Sequence, residues 1–456
     1  MSSFRQNLLL LYILLCPWCT GVITITGVRL AASDLLLPFA AICIALSIRS
    51  HEWGMQQLGL IAYGAIAAVS VIPLVSGSFL AVTLMKVIRL WGILAPALLV
   101  TSINIASFPL RRAVRAFFWS GLCSVLFGVI AFFFQWDFGV AIQSYNYGGQ
   151  YLHRAGGTFL DASSFGHLLS TWYVFSMLFV LPTISGPWRR AVFLVGATLL
   201  VGYGLYASVS RAALLHLLVV GVAYIILPSR VGNLRISRFL LPVAVALIGV
   251  LSWTSDLWSA SFLDSFRFIF ERLVKTAQAA MDGSEALDRS GGNRLSGWAT
   301  AIQLWLANPL LGVGYKALVP SYGIFADNTI VLTLVETGIL GCLAFTITGI
   351  GFVAGALRNY LDELPFGRGL LLFWLGQMTH SLLVDTITFC GSTTLVLMLA
   401  TALALAIHST RTRRMLDQYP GPPSGVATDS LDCAELHPAF GRNSIWVGAP
   451  KPGLSQ

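Results

Sequence analysis

The sequence predicts an all-α polytopic membrane protein of about twelve transmembrane helices, with one long outer loop between the ninth and the tenth. Three observations predict it. Apolar residues make up 56% of the chain and charged residues 10%, where a soluble domain carries roughly 25% charged residues. Runs of about 20 mostly apolar residues, the length that spans a bilayer as a helix, recur up to residue 408. The basic residues between those runs fall in alternate connections, the pattern that orients membrane proteins.

The first run, residues 7–25, resembles a signal peptide, with Arg5 ahead of an apolar stretch. No small-residue cleavage site follows and hydrophobicity resumes at Val22, so it is read as a retained span. The next runs are 30–48, 55–75, 79–103, 113–135, 162–182, 188–207, 211–228, 238–255, 328–353, 368–387 and 391–408. With the N-terminus inside, the cytoplasmic connections hold Arg49, then Arg111, Arg112 and Arg115, then Arg189 and Arg190, then Arg230, Arg235 and Arg238, then Arg358 and Arg368. The last span leaves at Arg411, Arg413 and Arg414, which places both termini in the cytoplasm. An odd miscount of spans would scramble this alternation. Residues 1–410 form the membrane domain, with outer loops at 136–161 and 256–327. Residues 411–456, with PGPPSG at 420–425 and no apolar periodicity, read as a disordered cytoplasmic tail.

The charge balance of +9 is accounted for by this topology and does not point to nucleic acid. Seven cysteines, odd in number and scattered through apolar runs, give no disulfide framework. Cys16-Pro17-Trp18-Cys19 has redox-motif spacing, but no strand precedes it and it lies in a span, so it is read as structural. No repeat and no matched pair of interrupted spans is visible, which counts against many secondary transporters.

In the long outer loop, Phe262, Phe266, Ile269, Phe270, Leu273 and Ala277 recur at helical spacing, with Arg267, Arg272 and Lys275 off the stripe. This reads as a helix lying in the outer interface. After a flexible break at 283–293, residues 294–307 read as a second helix, closed by Asn308-Pro309. Arg294 stands at its expected start. There the guanidinium fork and the helix N-terminus both suit an anion.

Arg211, after Ser208-Val209-Ser210 at the mouth of the eighth span, and Arg154, in the other outer loop, run against the inside bias for basic residues. One shared anionic site explains all three arginines; headgroup contacts are the bland alternative. Lys86 and Arg89 lie within the fourth span, where cations are functional by default unless they snorkel or meet a partner such as Asp34. Asp327 begins the tenth span, Asn328 follows it, and Glu336 lies about two and a half turns on. A carboxylate there suits a base for a sugar hydroxyl or a helix cap. Gly312 and Gly314 permit close backbone approach to a ligand or an ordinary tight turn. His380 and Asp385 share the eleventh span, and no cluster has metal-ligand spacing.

Three blocks together resemble the O-antigen ligase/polymerase superfamily of bacterial envelopes, the Wzy- and WaaL-type proteins. The first is Arg154-x-Gly-Gly-Thr-Phe with Asp161-Ala-Ser-Ser-Phe-Gly, and the second is Ser210-Arg211-Ala-Ala. The third runs from Asn293-Arg294-x-x-x-Trp298 through Asn308-Pro-Leu-Leu-Gly-Val-Gly and Asp327-Asn328 to Glu336-Thr-Gly-Ile-Leu-Gly. The resemblance implies glycosyl transfer without metal or cofactor at the outer face of the inner membrane, from a glycan on undecaprenyl diphosphate, with inversion. It implies that Arg154, Arg211 and Arg294, with Gly312 and Gly314, hold the diphosphate. Ligases of this family usually carry His just before the Asn at the tenth span; here Asp327 stands there, and Asp327 must serve if that site holds the base. That departure favours a polymerase of O-antigen, capsule or exopolysaccharide over a ligase to lipid A core. Membrane lipids, a chain-length regulator and other polysaccharide-assembly proteins are the partners this implies, and nucleic acid is not. A transporter or lipid-linked glycan flippase is the rival of another class. It would place its cations in a central cavity rather than in outer loops.

Overall fold

The computed structural model describes residues 2–18, 23–25, 28–46, 55–72, 80–99, 108–136, 142–147, 150–159, 161–208, 210–227, 289–324, 328–361 and 367–383. These are helical apart from short hairpins and turns. The helices are α1 Ser2–Leu15, α2 Leu37–Ala45, α3 Met55–Ser70, α4 Leu80–Leu99, α5 Leu110–Phe133 and α6 Ala162–Phe175. They continue as α7 Pro187–Ser208, α8 Arg211–Ile226, α9 Arg289–Ala307, α10 Leu318–Tyr322, α11 Thr329–Leu361 and α12 Gly367–Leu383. Helices occupy part of every expected span except 238–255 and 391–408, which lie outside the described residues. The interfacial helix expected over 262–277 and the tail at 411–456 lie outside them too.

Among the described residues, four stretches are long and apolar enough to cross a membrane: Arg111–Phe133, Ala162–Thr183, Pro187–Ser208 and Thr329–Leu361. The chain is therefore a multi-pass membrane protein by length and composition, with fewer full-length spans among the described residues than the twelve expected. Its surface agrees. Trp188 is 77% exposed and Ile226 70%, while Ser124, Ser170, Thr171 and Gln377 are buried. Apolar side chains out and polar ones in is the arrangement that lipid requires.

Residues 7–25 are a correction. They are not one helix: α1 ends at Leu15 and a short antiparallel hairpin follows, β1 Ile23–Ile25 with β2 Val28–Leu30. Pro17 supplies the reason, because proline cannot continue a helix and restricts the residue before it. The carbonyls freed there are satisfied from neighbouring elements. The Ser120 hydroxyl of α5 donates to the Leu14 carbonyl. The Ser124 and Thr158 hydroxyls both reach the Pro17 carbonyl at 2.8 Å. A backbone acceptor inside a bilayer needs such partners.

The helices pack in two groups. In one, α3 lies against α11 and α4, and α4 against α2. In the other, α6 packs on α7 and α8, and α8 on α12. Contacts of α5 with α1 and of α12 with α11 join them. Side chains near the ends of the helices tie them to neighbouring elements. Ser70, ending α3, accepts from the Tyr315 amide at 3.1 Å. At the other end of the bundle, Arg368 donates to the Tyr224 carbonyl and stacks 4.0 Å above the Tyr224 ring.

Candidate functional site

The loop Asn308–Gly314 docks on a break in α11. At Gly338 the backbone turns to φ 68°, ψ −171°, which is not helical. A break leaves amides and carbonyls without their partners four residues away. The loop supplies replacements. Val313 N–H donates to the Val335 carbonyl (2.9 Å) and Gly314 N–H to the Glu336 carbonyl (3.0 Å). In return Ile339 N–H donates to the Pro309 carbonyl (2.9 Å) and Leu340 N–H to the Leu310 carbonyl (3.4 Å). Two sequence blocks, Asn308-Pro-Leu-Leu-Gly-Val-Gly and Glu336-Thr-Gly-Ile-Leu-Gly, are thus one backbone-paired unit. Glycine is required on both sides. A Cβ on Gly338 would lie 2.1 Å from the Leu310 carbonyl oxygen, and one on Gly312 (φ 69°) 2.3 Å from that of Val335. The amides of Gly312 and Gly314 donate to Asn308 and Glu336, so the close approach these glycines permit is to the broken span.

Beside this dock lie the intramembrane cations. Arg89 pairs with Asp34 at 3.2 Å, the bland role expected for one of the two. Lys86 instead donates from Nζ to the Lys316 carbonyl at 3.3 Å. The Lys316 ammonium and the buried Glu336 carboxylate both act on it electrostatically. Lys316 adopts φ 60°, uncommon for a residue with a side chain.

The arginine blocks form a second unit. Strand β3 Ile142–Tyr147 pairs antiparallel with β4 Gln150–Ala155, which puts Arg154 opposite Gln143. Arg154 Nε donates to the Ser208 carbonyl at the end of α7 (2.8 Å). Ser210 caps α8 by accepting from the Ala213 amide, so Arg211 is the first residue of that helix. Asp161 caps α6, accepting from the Ser164 amide at 2.8 Å. Gly166 lets α6 and α8 meet closely, because a Cβ there would lie 2.3 Å from the Ser210 Cβ. Arg154 and Arg211 are therefore brought to one joint, between α7 and α8.

Arg294 differs from expectation. Helix α9 starts at Arg289 and runs through Gly291 and Gly292, so Arg294 is inside the helix and not at its N-terminus. Each helical glycine costs about 1 kcal/mol, less than α9 recovers by packing. Trp298, Ala301 and Trp305 of α9 cluster with Leu332 and Val335 of α11 and with Val313 and Leu318. Asp327 lies outside the described residues. The cap expected of it is made by Asn328, whose Oδ1 accepts from Ile330 (2.9 Å) and Val331 (3.1 Å).

A histidine cluster was not visible in the sequence. His167 of α6, His216 of α8 and His380 of α12 meet fully buried. The rings of His167 and His380 stack at 4.2 Å between centroids. His167 Nε2 pairs with Gln377 Oε1, and Gln377 Nε2 donates to Thr171 Oγ1. His216 Nδ1 lies 3.2 Å from the Ser170 hydroxyl. Three spans each contribute one ring, so no local spacing signals the group. Stacked faces do not aim two nitrogens at a common ion. Among the described residues no His, Cys, Asp and Glu group is placed to hold a metal.

Residues 196–346 match the family model of the O-antigen ligases (Wzy_C). No curated protein matches the chain. The matched region takes in Arg211, Arg294, the Gly312–Gly314 turn, Asp327, Asn328 and Glu336; it leaves out Arg154, Lys86 and Arg89. The match supports the O-antigen ligase/polymerase superfamily, and with it a glycosyltransferase-like polymerase or ligase acting on lipid-linked glycan in a membrane.

Proposed function

We propose that the protein polymerises undecaprenyl-diphosphate-linked oligosaccharide repeat units into O-antigen, capsule or exopolysaccharide at the outer face of the inner membrane. The observation that carries this is the joint between α7 and α8 inside the matched family region, where Arg154 is held on Ser208 beside Arg211. A cation there, with the N-terminal amides of α8, suits a diphosphate.

The acceptor sugar hydroxyl attacks the anomeric carbon of the donor. A new glycosidic C–O bond forms as the bond from that carbon to the diphosphate oxygen breaks, with inversion. The diphosphate leaves with the electron pair and the hydroxyl proton passes to the Asp327 carboxylate. Arg154, Arg211 and Arg294 stabilise the charge that grows on the leaving oxygen, so they act on the transition state more than on the ground state. Gly312 and Gly314 hold the loop to α11 and so fix Asn328, the residue after Asp327, relative to α9. No step needs a metal.

The test is a reaction of the purified protein in lipid with a native undecaprenyl-diphosphate-linked repeat unit and a chelator, with products run on a gel. A ladder of lengthening glycans, lost in Arg154→Ala and Arg294→Ala, is expected. A single transfer to lipid A core supplied in parallel would instead mean a ligase. Passage of the unit across the bilayer with no product would mean a transporter.

A further inference from the structure

We propose that His167, His216 and His380 are positioning residues for the Arg154–Arg211 joint, latching α6, α8 and α12 together while neutral and releasing them on taking up a proton. The inference rests on reading that joint as a diphosphate site. The cluster lies close beneath it. His167 is five residues past Ala162, the first residue of α6, and His216 is five residues past Arg211, the first of α8. Five residues are about 7.5 Å of helix. At the joint, Arg154 holds the Ser208 carbonyl, Ser210 caps α8, and Gly166 of α6 sits against Ser210. The histidines make a second contact between α6 and α8, below the one at Gly166.

The His216 ring is clamped between two helices. Its Nδ1 lies 3.2 Å from Ser170 Oγ of α6. Its Nε2 lies against Gly376 of α12, where a Cβ would come within 2.2 Å of it. Glycine at 376 is therefore the notch that admits the ring. His167 is tied to α12 through Gln377, which also reaches back to Thr171 of α6 at 3.0 Å. His380 of α12 stacks on His167. Three helices thus meet through three buried imidazoles.

The hydrogen bonds fix where a proton would add. Gln377 Nε2 donates to Thr171, so Gln377 Oε1 accepts from His167 Nε2–H and Nδ1 of that ring is bare. Ser170 Oγ donates to the His167 carbonyl (3.1 Å), so it accepts from His216 Nδ1–H and Nε2 of that ring is bare. Among the described residues neither bare nitrogen meets a polar partner.

Imidazole is the side chain whose ordinary protonation falls near neutral pH. Here the added proton would put a cation at His216 Nε2 against the α12 backbone, or on His167 in face contact with a second imidazole. A buried cation is costly unless it is paired. Within the three helices the charged residues are Arg211, at the start of α8, and Arg368, twelve residues before His380 in α12; α6 has none. Tyr173 of α6 turns to Thr198 of α7 at 2.9 Å. Of the described elements packed on them, α5 and α7 carry charge only in their opening turns. Strand β4 carries His153 and Arg154, and α11 carries Glu336 at the loop dock and Arg358 near its end. The rings themselves make their polar contacts with Ser170, Gln377 and one another. Helices that have parted can hydrate a protonated ring, and closed ones cannot. The parted form binds more protons, so falling pH favours it. Parting α6 from α8 moves Arg211, the first residue of α8, away from the joint.

The experiment uses the full chain in phosphatidylcholine nanodiscs, with farnesyl diphosphate as the probe. Melting temperature and probe affinity are measured at about pH 7.5 and about pH 5.5, either side of the ordinary imidazole range. Four of the seven histidines lie outside the cluster, His51, His153, His408 and His437, so the two sets can be separated. One variant changes those four to glutamine and keeps the cluster. The other is His167→Gln with His216→Gln and His380→Leu. On acidification wild type and the first variant should melt lower and bind the probe about tenfold or more weakly. The second should keep its melting temperature better and show only the loss that protonation of the diphosphate itself causes. An acid response equal in wild type and the cluster-free variant would overturn the proposal. So would loss of the response in the first variant, a test that stands even where the cluster-free chain fails to fold. A cluster-dependent change in melting with no cluster-dependent change in affinity would overturn it too, leaving the histidines a packing feature only. Absence of probe binding to wild type at either pH would instead sink the diphosphate reading of the joint, and the positioning role with it, while the melting comparison still decides whether the cluster is an acid latch.

Discussion

Replacing Gly338 by alanine tests whether the broken span is what holds the Asn308–Gly314 loop. The native backbone at Gly338, φ 68° and ψ −171°, lies in a region that is essentially glycine-only and costs other residues about 1–3 kcal/mol. The added Cβ would also stand 2.1 Å from the Leu310 oxygen and 2.5 Å from the Leu311 nitrogen. These are backbone atoms that cannot swing aside as a side chain can. Relief requires the loop to lift, which breaks the paired bonds of Val313, Gly314, Ile339 and Leu340. Each is worth roughly 0.5–1.5 kcal/mol. Strain and lost pairing together come to on the order of 5 kcal/mol, a large part of the 5–15 kcal/mol typical of a folded protein. The assay is thermal unfolding of the purified protein in detergent, followed by size-exclusion chromatography. Gly349→Ala on the same helix is the control, since a Cβ there meets nothing within 4 Å. Gly338→Ala should melt far below wild type or fail to yield a monodisperse peak, and Gly349→Ala should melt at or slightly above wild type, since a helical glycine costs about 1 kcal/mol relative to alanine. Equal melting of all three would refute the account of the dock.

Three further outcomes follow from the same contacts. Arg154→Ala should lower polymer synthesis by about 10²–10³-fold if its charge meets the leaving diphosphate, with lysine restoring part of the rate; initial rates on the purified repeat unit decide it. Ser124→Ala with Thr158→Val should cost about 1–3 kcal/mol, because the Pro17 carbonyl would lose both its buried donors; chemical denaturation against wild type measures this. His380→Leu should leave stability unchanged or higher, since among the described residues neither ring nitrogen of His380 meets a hydrogen-bond partner and burying an apolar group there removes an unmet polar one. His380→Lys should be destabilising, because it buries a cation against two other histidines; melting of the two variants side by side reads the difference.

The helical, multi-pass membrane character was legible because a span must be apolar over its length. Arg89 and Asp34 were legible as partners because a buried cation needs one. What stayed hidden has specific causes. The first run looked continuous because its hydrophobicity is, yet Pro17 ends α1 and hydroxyls from α5 and the Arg154 block satisfy the freed carbonyl. Gly291 and Gly292 looked like a boundary, but the seating of Trp298 and Trp305 overrides their low helix propensity. In the histidine cluster, His167 and its partner Gln377 lie 210 positions apart in sequence, beyond any local period. The three sequence blocks were found by resemblance, but why they occur together was not readable. Only the fold shows that two segments of the third block are backbone-paired in one dock.

That dock explains how a polar loop can be rigid at the edge of a bilayer. Non-helical backbone at membrane depth is tolerated where protein satisfies it. Here the satisfying groups come from the very loop that must be positioned. Breaking α11 at Gly338 exposes two carbonyls and two amides, and the Pro309–Gly314 segment takes up all four. The segment then carries Tyr315 and Lys316 onto α3 and α4, and it completes the cluster that seats α9. One break in one span thus fixes the helix of Arg294, the turn of Lys316 and the cap at Asn328 relative to each other. A helix continuous through residue 338 would form the same span with better hydrogen bonding and would leave the loop unattached. The cost of the break therefore makes sense if those residues must hold a common geometry, as groups that meet one lipid-linked substrate must.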